Sequence, residues 1–97
     1  LDEELSIGAA ARALGMGEST FSRFFSRAAG TTFPAYVRLM RLSRAAELLT
    51  VSDCSVTDVA IEAGFSTASY LILCFRRQYG MTPARFRALY GFKRGET

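Results

Sequence analysis

Apolar residues recur at intervals of three and four positions along the chain, which is the spacing of one face of an α-helix. Two stripes follow the series i, i+3, i+4, i+7, namely Phe21, Phe24, Phe25 and Ala28, and later Val56, Val59, Ala60 and Ala63. Each stripe predicts an amphipathic helix that buries it. The longest wholly apolar run, from Tyr70 to Phe75, is far shorter than the roughly 20 residues that cross a bilayer, so no membrane segment is expected.

Capping residues and glycines divide this pattern into six helices, and the predicted fold class is all-α. Ser55 followed by Asp58 is a capping box, and Ser66 is the expected N-cap of the next helix. Gly64 and Gly80 are expected helix ends, because glycine adopts positive φ at little cost. The predicted helices cover residues 7–14, 18–29, 33–49, 56–63, 67–79 and a segment opened by Thr82-Pro83, with proline at its favoured N1 position.

Helical spacing also identifies candidate inward residues in the third and fifth predicted helices. In the third helix the residues expected to face inward are Val37, Met40, Leu48 and Leu49, with Ala45 allowing a close approach. In the fifth helix the residues at helical spacing are Tyr70, Leu71, Cys74, Phe75 and Gln78. Because Tyr70 to Phe75 is apolar all round, that helix is expected to seek burial on more than one side.

The second half of the chain repeats the plan of the first. A shift of 49 residues relates the early positions and a shift of 50 the later ones, so the extra residue lies in the turn. The related pairs are Ser6 and Ser55, Ile7 and Val56, Ala11 and Ala60, Gly15 and Gly64, Ser19 and Ser69, Phe21 and Leu71, Phe25 and Phe75, Gly30 and Gly80, Thr32 and Thr82, and Tyr36 and Phe86. Two short helices joined by a glycine turn describe a helix-turn-helix. A plain helical hairpin bundle meets the same spacing.

Composition narrows the classes of function. With 49% hydrophobic residues in 97, the chain can form one compact unit or two very small ones. It has no histidine, which removes histidine acid–base catalysis and the commonest metal ligand. Gly15-Met16-Gly17 lacks the strand that a nucleotide fingerprint needs. Cys54 and Cys74 have no CxxC spacing, which indicates a reducing compartment and thiols that are buried or inert. We therefore expect no enzyme and no cofactor or metal.

The cations point to a nucleic acid. The formal net charge is +3, and eleven of the twelve cations are arginine, with Lys93 the exception. Arginine bonds bidentately to phosphate and guanine, although a GC-rich genome also favours it. Arg85, Arg87, Lys93 and Arg94 form a basic tail that is expected to add nonspecific attraction to DNA.

The second copy carries a set of spaced residues that resembles the signature of the AraC/XylS family of bacterial transcription regulators. These residues are Ser55-Val56, Asp58-Val59-Ala60, Gly64-Phe65, Ser69-Tyr70, Phe75-Arg76-Arg77, Tyr79-Gly80, Thr82-Pro83 and Phe86-Arg87. Tyr36, Arg41, Ala45, Leu48 and Leu49 in the preceding helix also follow that family's pattern. The resemblance covers residues 5 to about 90 and implies two helix-turn-helix units, at 5–31 and 55–92, joined by a long linker helix at 32–50.

The resemblance also implies partners and a location. It implies a cytoplasmic domain that binds double-stranded promoter DNA with two recognition helices about one turn, or roughly 34 Å, apart. RNA polymerase is a further expected partner, and activation is the commoner behaviour in the family. Such domains usually lie behind an effector or dimerisation domain, which the absence of an initiating methionine fits, and usually begin with one more helix upstream of Leu5.

In the first unit the family's base-reading positions fall on Ser19, Ser22 and Arg23. Arg23 can bond bidentately to guanine O6 and N7. The serines are short enough to contact bases or phosphate, and Arg27 lies one turn further on, towards the backbone. The residues expected to contact phosphate across the chain are Thr20, Arg27, Arg41, Ser66, Thr67, Arg76 and Arg77.

In the second unit the same positions fall on Ser69, Ile72 and Leu73, so the family's usual arginine is replaced by Leu73. Thr67 also stands where an acidic or amide residue is common. Ile72 and Leu73 could meet thymine methyl groups. The unit could instead hold DNA only through phosphate contacts, or its apolar patch could pack on another protein. We favour phosphate contact, because Arg76 and Arg77 are retained. The rival function is a protein-interaction module that has lost DNA reading.

Overall fold

A computed structural model of the chain describes residues 6–91. Within that range the chain forms six helices and no strand: α1 Ile7–Ala13, α2 Glu18–Ala29, α3 Phe33–Val51, α4 Val56–Ala63, α5 Ala68–Tyr79 and α6 Pro83–Tyr90. The predicted all-α class is confirmed, and α2 and α4 have the predicted bounds. Helix α1 ends one residue earlier than predicted and α3 runs two residues further. The expectations for Leu5, Lys93 and Arg94 lie outside the described residues.

Hydroxyl side chains begin most of these helices. The backbone amides three residues further on donate to Ser6 Oγ, Ser55 Oγ and Thr82 Oγ1 at 3.0–3.1 Å. Each bond satisfies one of the four amides that a helix start leaves without an intrahelical partner.

The start of α5 corrects one prediction. Thr67, not Ser66, is its N-cap, since the Tyr70 amide donates to Thr67 Oγ1 at 3.0 Å. The backbone of Thr67 is still extended, and the helix begins at Ala68. Ser66 therefore lies one position too early for its side chain to reach the free amides of the first turn.

Two repeat-related glycines end α2 and α5. Gly30 and Gly80 have φ values of 74° and 76°, in the left-handed region. A Cβ built at either position would meet nothing within 4 Å. Glycine is therefore required there by backbone conformation and not by lack of space.

The chain divides between Met40 and Arg41, inside α3, into two compact units. The core of unit 1 consists of Ala11, Phe21, Phe33 and Val37, with Ile7, Ala10, Met16 and Phe25 packed against it. The core of unit 2 draws on α3, α4 and α5 and consists of Leu42, Ala45, Leu49, Val59, Ala60, Ala63, Phe65, Leu71, Cys74 and Phe75. The predicted stripe of α4 is confirmed, with three of its four residues buried.

The predicted stripe of α2 is only half right. Phe21 is buried and Phe25 half-buried, but Phe24 is 49% exposed and Ala28 is also exposed. The repeat does not preserve this burial, since Cys74, the counterpart of Phe24, is buried in a cluster that includes Leu42 and Leu49 of α3.

The inward face of α3 also needs one correction. Val37, Ala45 and Leu49 are buried and Leu48 is half-buried, as predicted, whereas Met40 is exposed. The buried residues Phe33 and Leu42 were missed. Met40 lies about 200° around the helix from the buried Leu42, and it is in neither of the two cores.

Arg87 is a structural residue and not part of a free basic tail, which corrects the sequence-based expectation. Its Nε donates to Leu49 O at 3.3 Å and its Nη2 to Ser52 O at 3.2 Å, while Nη1 donates to Cys54 O. These carbonyls belong to the end of α3 and the loop after it, where a helix leaves acceptors unsatisfied. A single guanidinium of α6 thus stabilises the connection between α3 and α4 through hydrogen bonds.

Candidate nucleic-acid interface

In unit 1, α2 presents polar side chains on the side away from its core residues. Ser19 and Arg23 are exposed and Ser22 is half-buried. On the other side of the helix, the rings of Phe21 and Phe25 pack edge-to-face against Phe33, with centroid distances of 5.3 and 5.2 Å. The predicted base-reading residues therefore share one outward face of a helix whose opposite face is fixed by aromatic packing.

The phosphate-contacting residues predicted for α2 lie beside that face. Thr20 and Arg27 are exposed, and they line an open depression of about 420 Å³ together with Arg23, Phe24 and Ala28. Arg23 and Arg27 are four residues apart, so their guanidinium groups project one helical turn from each other. This spacing allows one group to meet a base edge while the other meets the backbone.

In unit 2, α5 presents the corresponding positions with different chemistry. Ser69 and Leu73 are exposed and Ile72 is half-buried. The exposure of each matches that of its counterpart fifty residues earlier, since Ser19 and Arg23 are exposed and Ser22 is half-buried. The fold therefore keeps the outward face and only the side-chain chemistry changes.

Arg76 and Arg77 are both exposed, in the last turn of α5. Together with Leu73 and Gly80 they line an open depression of about 380 Å³. Arg77 stands four residues after Leu73, as Arg27 stands four residues after Arg23. The α5 surface thus combines two cations with an apolar side chain at the position where unit 1 has Arg23.

The remaining predicted phosphate contacts differ in access. Ser66 and Thr67 are exposed at the start of α5, and the hydroxyl oxygen of Thr67 is occupied as the acceptor of the Tyr70 amide. Arg41 is half-buried on α3. Thr67 and Arg41 are therefore more engaged in the fold, or less open to a phosphate, than Arg27, Arg76 and Arg77, whereas Ser66 is exposed.

Tyr70 was missed as a surface residue, because its spacing placed it with the buried residues of α5. It is 42% exposed, and its ring rests edge-on against the buried Phe65 with centroids 5.9 Å apart. Gln78 is exposed as well. The repeat held the signal that could have found Tyr70, because its counterpart in unit 1 is the exposed Thr20.

Within residues 6–91, no group of three or more histidine, cysteine, aspartate or glutamate side chains could hold a metal ion. Burial raises the pKa of the Tyr79 phenol above 10.0, so this hydroxyl stays neutral at ordinary pH.

None of the described helices is both long and apolar enough to cross a membrane by itself. Helices α4 and α5 reach such a length only when taken together, and they meet at 84°.

The arrangement of short helices joined by glycine turns is that of a helix-turn-helix protein, and the comparisons agree. A family model described as a helix-turn-helix domain matches residues 10–89. The chain belongs to the AraC/XylS family of helix-turn-helix transcription regulators. It is a DNA-binding domain of a bacterial transcription regulator and not an enzyme.

Two curated relatives illustrate the likeness in sequence. The chain is 42% identical over 76 residues to the transcriptional regulator ExsA of Pseudomonas aeruginosa, covering 78% of this chain and 27% of that protein. It is 32% identical over 85 residues to the transcriptional activator RhaS of Escherichia coli, covering 88% of this chain and 31% of that protein. The chain therefore spans about a third or less of the length of these relatives.

Solved structures show the same fold. The DNA-binding domain of the global transcriptional factor AdpA, solved in complex with a target DNA, superimposes with a TM-score of 0.83 at 35% identity, covering 88% of this chain and 77% of that one. An AraC-type transcriptional regulator from Chromobacterium violaceum gives a TM-score of 0.83 at 29% identity, covering 91% and 80% of the two chains.

Proposed function

We propose that this domain binds promoter DNA by placing α2 and α5 in successive major grooves, with α2 reading bases and α5 mainly contacting phosphates. One observation carries this division of labour: positions 23 and 73 have the same exposure and the same place in the repeat, but one is arginine and the other is leucine. Only the arginine can donate hydrogen bonds to a base edge.

Base reading by α2 is supported by chemistry and access. The Arg23 guanidinium can donate two parallel hydrogen bonds to the O6 and N7 acceptors of guanine. Ser19 is exposed next to it, and the half-buried Ser22 has a shorter reach. We propose Arg23 as the main base-reading residue, with Thr20 and Arg27 holding the adjacent backbone.

Phosphate contact by α5 is supported by Arg76 and Arg77, which are exposed on the last turn. Phosphate contacts fix the position and orientation of a protein on the duplex without reading sequence. Ser69, together with Ser66 and Thr67 at the start of α5, adds hydroxyl groups near the positive end of the helix dipole.

The whole protein is proposed to be a transcription activator in which a further effector-binding or dimerisation domain controls this one and RNA polymerase is a partner. The RhaS relative is described as a transcriptional activator, and the relatives are about three times longer than this chain. The rival function is a protein-interaction module that does not read DNA. The experiments that follow distinguish it from the proposed function.

Selection from a random DNA library tests the division of labour. We expect one strongly enriched half-site and, about one helical turn away, a weakly specified stretch. Two equally enriched half-sites would contradict the proposal for α5. No enrichment at low salt would favour the interaction module.

The variant Arg76→Ala tests the phosphate role of α5. We expect it to weaken binding to all duplexes alike and to reduce the slope of log K against log salt by about 0.9, the contribution of one neutralised phosphate. The measurement is a titration at several salt concentrations, on the selected duplex and on a scrambled one.

The matched control is Arg44→Ala. It removes the same charge from α3, where Arg44 Nη1 is already bonded to Glu47 Oε1 at 2.8 Å on the surface. We expect it to leave the slope unchanged. A loss confined to one sequence in Arg76→Ala would instead assign base reading to that residue.

A further inference from the structure

The exposed side chain of Leu73 lies where its repeat counterpart Arg23 is proposed to read guanine. It is 45% exposed, and the residues of α5 that fill the core are Leu71, Cys74 and Phe75. Core packing therefore does not account for Leu73, and its neighbour Ile72 is already half-buried.

The surroundings of Leu73 have the charge of a DNA contact. It lines an open depression with Arg76, Arg77 and Gly80, so an apolar group entering there would lie beside two arginine side chains. A protein partner with an apolar side chain would have to cover those cations, whereas a duplex presents phosphates to them. The depression beside Leu73 is therefore better suited to an apolar group that is part of a polyanion than to an apolar side chain of a protein.

We infer that Leu73 contacts the C5-methyl group of one thymine in the major groove, so that the second half-site prefers thymine at a single position. The thymine methyl is the apolar group that the major-groove edges of the four base pairs offer. This inference rests on the proposed entry of α5 into the groove and adds one base contact to its phosphate contacts.

Uracil scanning tests the inference directly. Each thymine in the second half-site of the library-selected duplex is replaced, one at a time, by uracil, which pairs identically and lacks only the methyl. We expect wild-type affinity to fall about fourfold at one position, as for loss of one buried methyl group, and Leu73→Ala to bind both duplexes equally. Ile61→Ala, which shortens another exposed aliphatic side chain of unit 2, is expected to keep the wild-type sensitivity.

Three results would overturn the assignment, and they separate it from the proposed function. If no uracil duplex differs from its thymine parent while Arg76→Ala still lowers the salt slope, α5 contacts only phosphates and Leu73 reads nothing. If Leu73→Ala keeps the uracil sensitivity, another side chain of α5 makes the contact. If both the uracil effect and the Arg76→Ala effect are absent, α5 does not meet DNA and the proposed function itself fails. Circular dichroism melting of Leu73→Ala confirms that the exposed substitution leaves the fold intact.

Discussion

Replacing Arg87 with alanine is expected to lower the free energy of unfolding of unit 2 by about 2–4 kcal/mol. The guanidinium donates to three backbone carbonyls, of Leu49, Ser52 and Cys54. Hydrogen bonds from a charged group contribute about 1.5–3 kcal/mol each when intact. The hydrogen bonds of Arg87 are only partly buried, so water can bond to some of the carbonyls in the variant. The expected loss of stability is therefore well below the sum of three such bonds.

The large effect follows from position as well as number. The acceptors lie at the carboxyl end of α3 and in the loop to α4, where carbonyls have no intrahelical partner and the helix dipole favours a cation. Arg87 reaches them from α6, across 33 to 38 residues of chain. Without it, the loop keeps its carbonyls but loses a side chain that bonds to three of them.

Thermal unfolding followed by circular dichroism measures this effect, and amide hydrogen exchange localises it to the end of α3 and to α6. The matched control is Arg85→Ala, an exposed arginine on the same helix, which is expected to change stability by no more than about 0.5 kcal/mol. Arg87→Lys, with one ammonium group, should fall between the two. Equal stability of Arg87→Ala and Arg85→Ala would show that the three hydrogen bonds contribute nothing net.

Replacing Arg23 with alanine is expected to weaken specific DNA binding by about 1–3 kcal/mol, or roughly 5- to 150-fold, with little change in nonspecific binding. The physical reason is the loss of a bidentate contact to guanine, which no neighbour can restore. Ser19 and Ser22 are too short to reach the same acceptors. Since Arg23 is exposed, the substitution should leave the fold unchanged.

A chemical probe separates base reading from charge loss. Replacing guanines of the selected half-site by 7-deazaguanine removes one acceptor, so the wild type should lose affinity at one position where Arg23→Ala shows no further loss. The charge-matched control is Arg38→Ala, exposed on α3 of the same unit, which should keep the preference for guanine. If Arg23→Ala bound the selected and scrambled duplexes as the wild type does, the base-reading assignment would be wrong.

Much of the fold could be predicted because its signals are local. Ser55, Gly64, Gly80 and Thr82 end or begin helices through bonds and dihedral angles that involve only neighbouring residues, and those predictions are confirmed. The N-cap of α5 was misplaced by one residue because Ser66 and Thr67 have equivalent hydroxyls. The backbone of the turn decides which of them reaches the free amide.

Burial was harder to predict wherever a helix packs on something far away in sequence. Phe24 and Met40 have the spacing of core residues but are exposed, because burial depends on which neighbouring helix covers each side. The sequence indicates that Arg87 is one more surface cation, because nothing nearby in sequence identifies the carbonyls of α3 as its acceptors. The base-reading and phosphate-contacting roles stay predictions. Most of the residues assigned to these roles on α2 and α5 are exposed.

The sequence by itself determined the helices, the repeat and the family, because capping, periodicity and spaced signature residues are properties of short segments. The tertiary structure alone decided which apolar side chains face solvent and which arginine is structural. Leu73 illustrates the difference between what the sequence determined and what the tertiary structure decided. The sequence shows that an arginine position holds leucine, but only packing shows that this leucine lies outside the core, in a depression that it shares with two exposed arginines.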